Sequence, residues 1–172
     1  MHRHSRREFL KKAPLALAGA AAFPAIVKAS ALGRGGAVAP SDRIVMAGIG
    51  YGMQGPGNMR SFLGKSEVQW VAVCDIDESH LKQAQGIVNS QYGTKDCATY
   101  KDYRELFARG DLEAVSIAVP DQWHAILSIS AVRAGLDVYG EKPFTHSLRE
   151  GRALCVAVKR SGRVWQTGSW QR

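Results

Sequence analysis

Residues 43–57 read RIVMAGIGYGMQGPG, an almost continuous apolar run that ends in a cluster of glycines. The apolar part predicts a strand that is buried on both faces, as in a parallel sheet covered by helices. The glycines fit two frames, starting at Gly48 or at Gly50, and only the second gives the spacing G-x-G-x-x-G. In that frame Gly50 permits a tight turn, Gly52 lets a ligand approach the backbone, and Gly55 allows a following helix to pack closely. The stretch therefore predicts the first strand and turn of an α/β fold.

Beyond this turn, short apolar runs alternate with longer amphipathic segments, which is typical of parallel strands joined by crossover helices. The pattern predicts a doubly wound, mostly parallel Rossmann sheet of five or six strands with helices on both faces. We expect this domain over residues 42–165, with residues 166–172 as the start of a truncated second domain. The further strands are expected at 68–74, near 98–99, and at 114–120, 136–140 and 164–168.

Polar residues mark where several helices begin. Asp77 is a candidate N-cap for a helix that runs to about residue 89. Asp102 with Glu105, and Ser147 with Glu150, have the three-residue spacing of a capping box.

An acidic residue follows the second strand at the distance expected for a dinucleotide site. Asp75 stands 20 residues after Gly55, where a carboxylate accepts hydrogen bonds from a ribose diol and repels a 2′-phosphate. This favours NAD over NADP, although Asp77 is an alternative ribose contact and a nearby arginine could reverse the preference. Met53 and Gln54, inside the glycine motif, are counted with the cofactor contacts.

Two further segments lie at the carboxyl ends of strands, where ligands bind in open α/β sheets. In the first, Pro120 and His124 are candidates, and the histidine is either ligand-facing or only a residue of the helix terminus. In the second, Lys142 can donate to a substrate oxygen and, if partly desolvated, can transfer a proton. Glu141 is expected to hold that lysine in place and is counted with the cofactor contacts. The alternative for the pair is a surface salt bridge. Pro143 fixes the backbone after the lysine, and its peptide bond can be cis.

The N-terminus has the three parts of an export signal. A basic region is followed by the apolar residues 13–27 and by small residues at Ala29 and Ala31. Ser5–Lys11 reads SRREFLK and resembles a twin-arginine (Tat) signal. We expect a signal peptide over residues 1–31, a linker over 32–41, and an exported, periplasmic or extracytoplasmic protein without a stable membrane span.

The net charge of +8 does not indicate a nucleic-acid partner. Residues 1–40 hold seven Lys and Arg against one Glu, whereas the remainder holds 16 basic and 14 acidic side chains. The body of the chain is nearly neutral, which removes the main support for nucleic-acid binding. The three cysteines are too widely spaced for a metal site, and we expect Cys74 and Cys155 to be small buried residues.

Several motifs together resemble the N-terminal half of the glucose/fructose oxidoreductase, inositol dehydrogenase and MocA (Gfo/Idh/MocA) family. They are the glycine motif followed by GNM, then VAVCDID, AVPDQWH, AGLDVYGEKP and the closing QTGSWQR, over residues 43–172. The resemblance implies NAD(P) binding and hydride transfer between nicotinamide and a sugar or cyclitol hydroxyl. It implies that Lys142 is the catalytic lysine, that Gly50, Gly52, Gly55 and Asp75 contact the cofactor, and that Pro120 and His124 line its nicotinamide side.

Family members continue into a second α/β domain, which supplies the substrate pocket, a catalytic histidine and usually the oligomer interface. This chain ends at Arg172, so we expect a fragment or a truncated product that is inactive alone. A sugar-like small-molecule partner and a homo-oligomer are expected only with that domain. Two alternatives stay open, an NAD-dependent glycoside hydrolase of the same superfamily and a non-catalytic nucleotide-binding fragment.

Overall fold

The computed structural model describes residues 38–169, which contain six strands and five α-helices. The strands are β1 (Ile44–Ile49), β2 (Val68–Cys74), β3 (Ala98–Tyr100), β4 (Ala114–Ile117), β5 (Asp137–Glu141) and β6 (Trp165–Gly168). The helices are α1 (Gly55–Leu63), α2 (Glu78–Tyr92), α3 (Tyr103–Phe107), α4 (Asp121–Arg133) and α5 (Leu148–Ser161).

The six strands form one sheet in the order β3-β2-β1-β4-β5-β6, and all of its pairings are parallel. The strand order reverses between β1 and β4, so the loops after these two strands leave the sheet in opposite directions. A crevice at the carboxyl ends of the strands is the usual result of this reversal. The predicted doubly wound Rossmann sheet is confirmed.

Apolar side chains cover the sheet on both faces. On one face Met46 and Trp70 of the sheet pack with Met59 of α1 and Leu81 of α2. On the other face the cluster combines sheet residues such as Val115 with residues of α3, α4 and α5. Burial on both faces explains why the strands read as nearly continuous apolar runs.

The helix starts agree in part with the sequence. Asp77 caps α2, and Ser147 and Glu150 form both hydrogen bonds of a capping box at α5. At α3 the Asp102 side chain accepts a hydrogen bond from the backbone N–H of Arg104, and neither hydrogen bond of a capping box with Glu105 is formed within the described residues. The expected box is therefore wrong at α3, where Asp102 acts as a simple N-cap.

The described residues also bear on the expected boundaries. The sheet includes β6 as far as Gly168, three residues beyond the expected domain end at 165. Residues 40–42, at the end of the expected linker, form a single 3-10 turn. Within residues 38–169, no helix has both the length and the apolar character needed to cross a bilayer. The expected signal peptide, most of the linker and the residues from 170 onward lie outside the described residues.

The interpretation of the cysteines was wrong at one position. Cys74 is buried in β2, as expected, whereas Cys155 is exposed. Helix α5 turns Leu154 and Ala157 toward the sheet, and a residue next to Leu154 lies about 100° around the helix from it. Cys155 therefore lies on the solvent side of α5.

Candidate functional site

Two glycines of the motif are required by close backbone approaches. Gly50 has a φ of +88°, and a Cβ atom there would collide with the backbone oxygen of Ala118. A Cβ atom at Gly55 would collide with the backbone oxygen of Gly50. The turn after β1 is thus pressed against the loop after β4 on one side and against the first turn of α1 on the other.

Gly52 differs from its two neighbours in the motif because it faces open space. Among the described residues, a Cβ atom there would have only the His80 ring within 4 Å, at 3.9 Å. In the part of the chain that the structure describes, the backbone N–H groups of Met53 and Gln54 donate no hydrogen bond. Open space beside unused N–H groups at the start of α1 is the arrangement that binds a phosphate. The residues present therefore fit a dinucleotide pyrophosphate.

Asp75 is fixed at the end of β2 by the backbone. Its carboxylate accepts hydrogen bonds from the N–H groups of Tyr51, at 2.7 Å, and of Asp77, at 3.0 Å. The His80 ring nitrogen Nδ1 lies 3.3 Å from the same carboxylate, whose side chain is only 9% exposed. The first of these bonds ties Asp75 to the glycine turn, so the two parts of the expected site are one unit.

Asp77, the alternative ribose contact, is occupied as a helix cap. Its side chain accepts from the backbone N–H of Ser79 at 2.7 Å and of His80 at 3.2 Å. The hydrogen bond from the Ser79 side chain, with these two backbone bonds, lowers the pKa of Asp77. These bonds all reach Oδ1 of Asp77, so Asp77 stays an alternative to Asp75 as the ribose contact.

The glycine turn and Asp75 border a cleft of about 850 Å³ at the carboxyl ends of β1, β2, β4 and β5. Three large apolar side chains line the cleft and are exposed, Met53 fully, Ile76 at 88% and Trp123 at 46%. Exposed apolar surface rimmed by polar groups marks a binding site more often than chance. The cleft thus offers apolar surface for flat rings beside a polar site for phosphates.

The structure brings most of the predicted site residues together around this cleft. Gly55 and His124 are not among its lining residues. The predicted residues that line it are Gly50, Gly52, Met53, Gln54, Asp75, Pro120, Glu141 and Lys142.

His124 is buried, at 2% exposure, and its Nε2 lies 2.7 Å from the backbone oxygen of Val119. Val119 and Pro120 themselves line the cleft. The histidine therefore holds the loop between β4 and α4, and any contribution to binding passes through that loop.

Glu141 and Lys142 do not form the expected ion pair. Lys142 is exposed at the rim, whereas Glu141 is 3% exposed and its Oε1 accepts a hydrogen bond from Asn58 Nδ2 at 3.0 Å. The Glu141 carboxylate reaches Lys142 only at its backbone N–H, at 3.3 Å. The Lys142–Pro143 peptide bond is cis. Glu141 thus orders the turn that carries the lysine and leaves the ammonium group free of it.

Sequence reasoning missed Asn58 and His80. Asn58 of α1 connects Gln54, whose Nε2 donates to Asn58 Oδ1 at 3.2 Å, with Glu141 at the end of β5. The available signal was its position three residues after Gly55, one helical turn into α1, where a polar side chain faces the sheet. His80 lies in the first turn of α2, and only the fold brings it beside Asp75.

Comparisons with known proteins agree with this geometry. Residues 43–169 match the family model of the Gfo/Idh/MocA oxidoreductases, an oxidoreductase family with an NAD-binding Rossmann fold. Two relatives are a glycosyl hydrolase family 109 protein from Shewanella sp. (strain MR-4), 30% identical over 94% of this chain and 38% of its own, and an alpha-N-acetylgalactosaminidase from Shewanella oneidensis, 30% identical over 87% and 36%. The solved myo-inositol 2-dehydrogenase from Lactobacillus plantarum is 27% identical, with a TM-score of 0.65 over 73% of this chain and 36% of that chain.

The chain thus spans little more than a third of the length of the relatives that it matches. Over that span the family model, the sheet order and the glycine turn agree. The chain belongs to the Gfo/Idh/MocA oxidoreductase family, and the sheet and cleft described above are its NAD-binding Rossmann domain.

Proposed function

We propose that this chain is the cofactor domain of an enzyme that acts on a sugar or cyclitol hydroxyl with NAD as hydride acceptor. The observation that carries the proposal is the open space at Gly52 beside Asp75, joined by the hydrogen bond from Tyr51 to that carboxylate. The pyrophosphate would lie on the start of α1 and the adenosine ribose on Asp75. Bound NAD supplies the hydride acceptor.

Lys142 is the residue that we expect to act on the substrate. It lies at the cleft rim, exposed, on a turn whose backbone Glu141 holds through the Lys142 N–H. An ammonium group in that place can donate to a substrate hydroxyl and, once neutral, accept its proton. Substitution by Met removes the charge and keeps the chain length, so Lys142→Met should retain NAD binding and lose turnover in a protein that carries the substrate domain.

We expect NAD to be preferred over NADP, and two features of the cleft rim support this. Asp75 places a negative charge where a 2′-phosphate would lie. The cations that line the same side are already paired, Lys101 with Glu78 at 2.8 Å and Arg104 with Asp102 at 3.2 Å. The Glu78 hydrogen bond raises the pKa of Lys101. Isothermal titration of the chain with NAD and then NADP tests this, and equal affinity would refute the preference.

A second function, NAD-dependent glycoside cleavage, is favoured by the two Shewanella relatives, whose names are those of glycoside hydrolases. In that case the sugar would be oxidised only transiently and the cofactor would be recovered in each turnover. Both functions use the same cofactor domain. An assay of the longer protein separates them, because net NADH release indicates a dehydrogenase, and glycoside cleavage without net NADH indicates a hydrolase.

A non-catalytic nucleotide-binding role is the remaining alternative for the chain alone. NAD binding by titration without turnover of any sugar on the same sample would favour it. Turnover would rule it out.

We also propose that the protein is exported by the Tat route to the periplasm or another extracytoplasmic compartment. The support is the sequence SRREFLK at Ser5–Lys11 followed by the apolar residues 13–27. Cell fractionation of the wild type and of a variant with Arg6→Lys and Arg7→Lys tests export. Equal export of both would refute the Tat route.

A further inference from the structure

Glu141 has an unusual environment for a carboxylate. It is the last residue of β5, 3% exposed, and its Oε1 accepts a hydrogen bond from Asn58 Nδ2 at 3.0 Å. Its Oε2 accepts the Lys142 N–H at 3.3 Å. Gly168 of β6 leaves the space for this side chain, since a Cβ atom there would lie 2.8 Å from Oε1. Three elements therefore confine the carboxylate to one place.

The partners of Glu141 are neutral amides. Within residues 38–169 the ion pairs do not include Glu141. Burial, and after it the nearby Glu141 carboxylate, raises the pKa of Tyr139. A buried carboxylate is costly unless an opposite charge accompanies it. The arrangement therefore leaves a carboxylate without an ion-pair partner among residues 38–169.

Glu141 nevertheless lines the cleft, at the end of β5. Asp75 lies at the end of β2, on the other side of the point where the strand order reverses. A dinucleotide bound across such a reversal places its two halves over the two halves of the sheet. With the adenosine ribose on Asp75, the nicotinamide half lies over β4 and β5, the half that ends in Glu141.

Resting on the proposed NAD binding, we propose that Glu141 determines specificity for the oxidised cofactor by supplying the negative charge that accompanies the nicotinamide cation of NAD⁺. The nicotinamide ring carries a positive charge in NAD⁺ and none in NADH. A buried carboxylate in that half of the cleft stabilises the first and gains nothing from the second. The expected result is a domain that binds NAD⁺ more tightly than NADH.

Dissociation constants of the chain for NAD⁺ and for NADH, measured by isothermal titration, test this. We expect the wild type to prefer NAD⁺ by about tenfold, as unit charges in a partly screened site interact with that order of strength. Glu141→Gln keeps the acceptor for Asn58 and removes the charge, so the preference should fall nearly to one. Asp75→Asn, the control, removes a carboxylate from the other half and should weaken both forms by a similar factor.

The results separate the two proposals. If neither NAD⁺ nor NADH binds, the proposed cofactor function fails and this inference fails with it. If both bind and the wild type shows no preference for NAD⁺, the inference alone fails, and no variant is needed for that conclusion. If Glu141→Gln is folded by circular dichroism and keeps the wild-type preference, the inference also fails.

Discussion

Substitution of Gly52 by Ala should abolish tight NAD binding without unfolding the protein. Within residues 38–169 the added Cβ would meet only the His80 ring, at 3.9 Å, so the free energy of unfolding should change by no more than about 0.5 kcal/mol. The same methyl group would occupy the space beside the N–H groups of Met53 and Gln54 where a phosphate is expected. Each charge-assisted hydrogen bond that is lost reduces the binding free energy by about 1.5–3 kcal/mol. This raises the dissociation constant about ten- to hundredfold.

Two matched glycines make this prediction specific. Gly50→Ala introduces strain at a φ of +88° and a collision with the Ala118 oxygen, and should lower the free energy of unfolding by about 2–5 kcal/mol. Gly86 lies in α2, and outside the backbone of that helix no part of the described chain comes within 4 Å of a Cβ added there. Gly86→Ala should therefore raise the free energy of unfolding by about 0.5–1 kcal/mol and leave NAD binding unchanged. Urea unfolding and NAD titration measure both quantities. A Gly52→Ala variant that binds NAD like the wild type would refute the phosphate site.

Four further outcomes are expected. Asp75→Ser should weaken NAD binding about tenfold or more, because charged hydrogen bonds to the ribose are lost. It should also reduce the preference for NAD over NADP, as measured by titration with both cofactors. Asn58→Leu should lower the free energy of unfolding in urea by about 3 kcal/mol, because it leaves the buried Glu141 carboxylate without its amide donor, and an unchanged value would contradict this. A thiol reagent should modify the exposed Cys155 in the native protein well before the buried Cys74. Burial raises the pKa of the Cys74 thiol from 9.0 to about 12. The free energy of unfolding should therefore fall as the pH rises from 9 toward 12, by up to about 1.4 kcal/mol per pH unit from this thiol. Cys74→Ala should reduce that slope.

The sheet could be predicted because its signals are local. The apolar runs of β1 and β2 and the caps at Asp77 and Ser147 each act within a few residues of where they stand in the sequence. The exposure of Cys155 could have been predicted in the same way, because Arg152 and Lys159 stand three residues before it and four residues after it, on the same charged face of α5. The hydrogen bond between Asn58 and Glu141 joins residues 83 positions apart, and such a contact follows only from the strand order.

The adjacent residues Glu141 and Lys142 show how the fold assigns opposite roles to two charges. Glu141 is the last residue of β5 and is buried there, whereas Lys142 is the first residue of the turn that follows and is exposed. The sequence suggests an ion pair, but the geometry prevents one, because Glu141 is held by Asn58 and Gly168 leaves it room to stay buried. A lysine paired with that carboxylate would neutralise the charge and lose its own freedom to reach a substrate. Separation of the two leaves the carboxylate available to the cofactor side of the cleft and the ammonium group available at its rim.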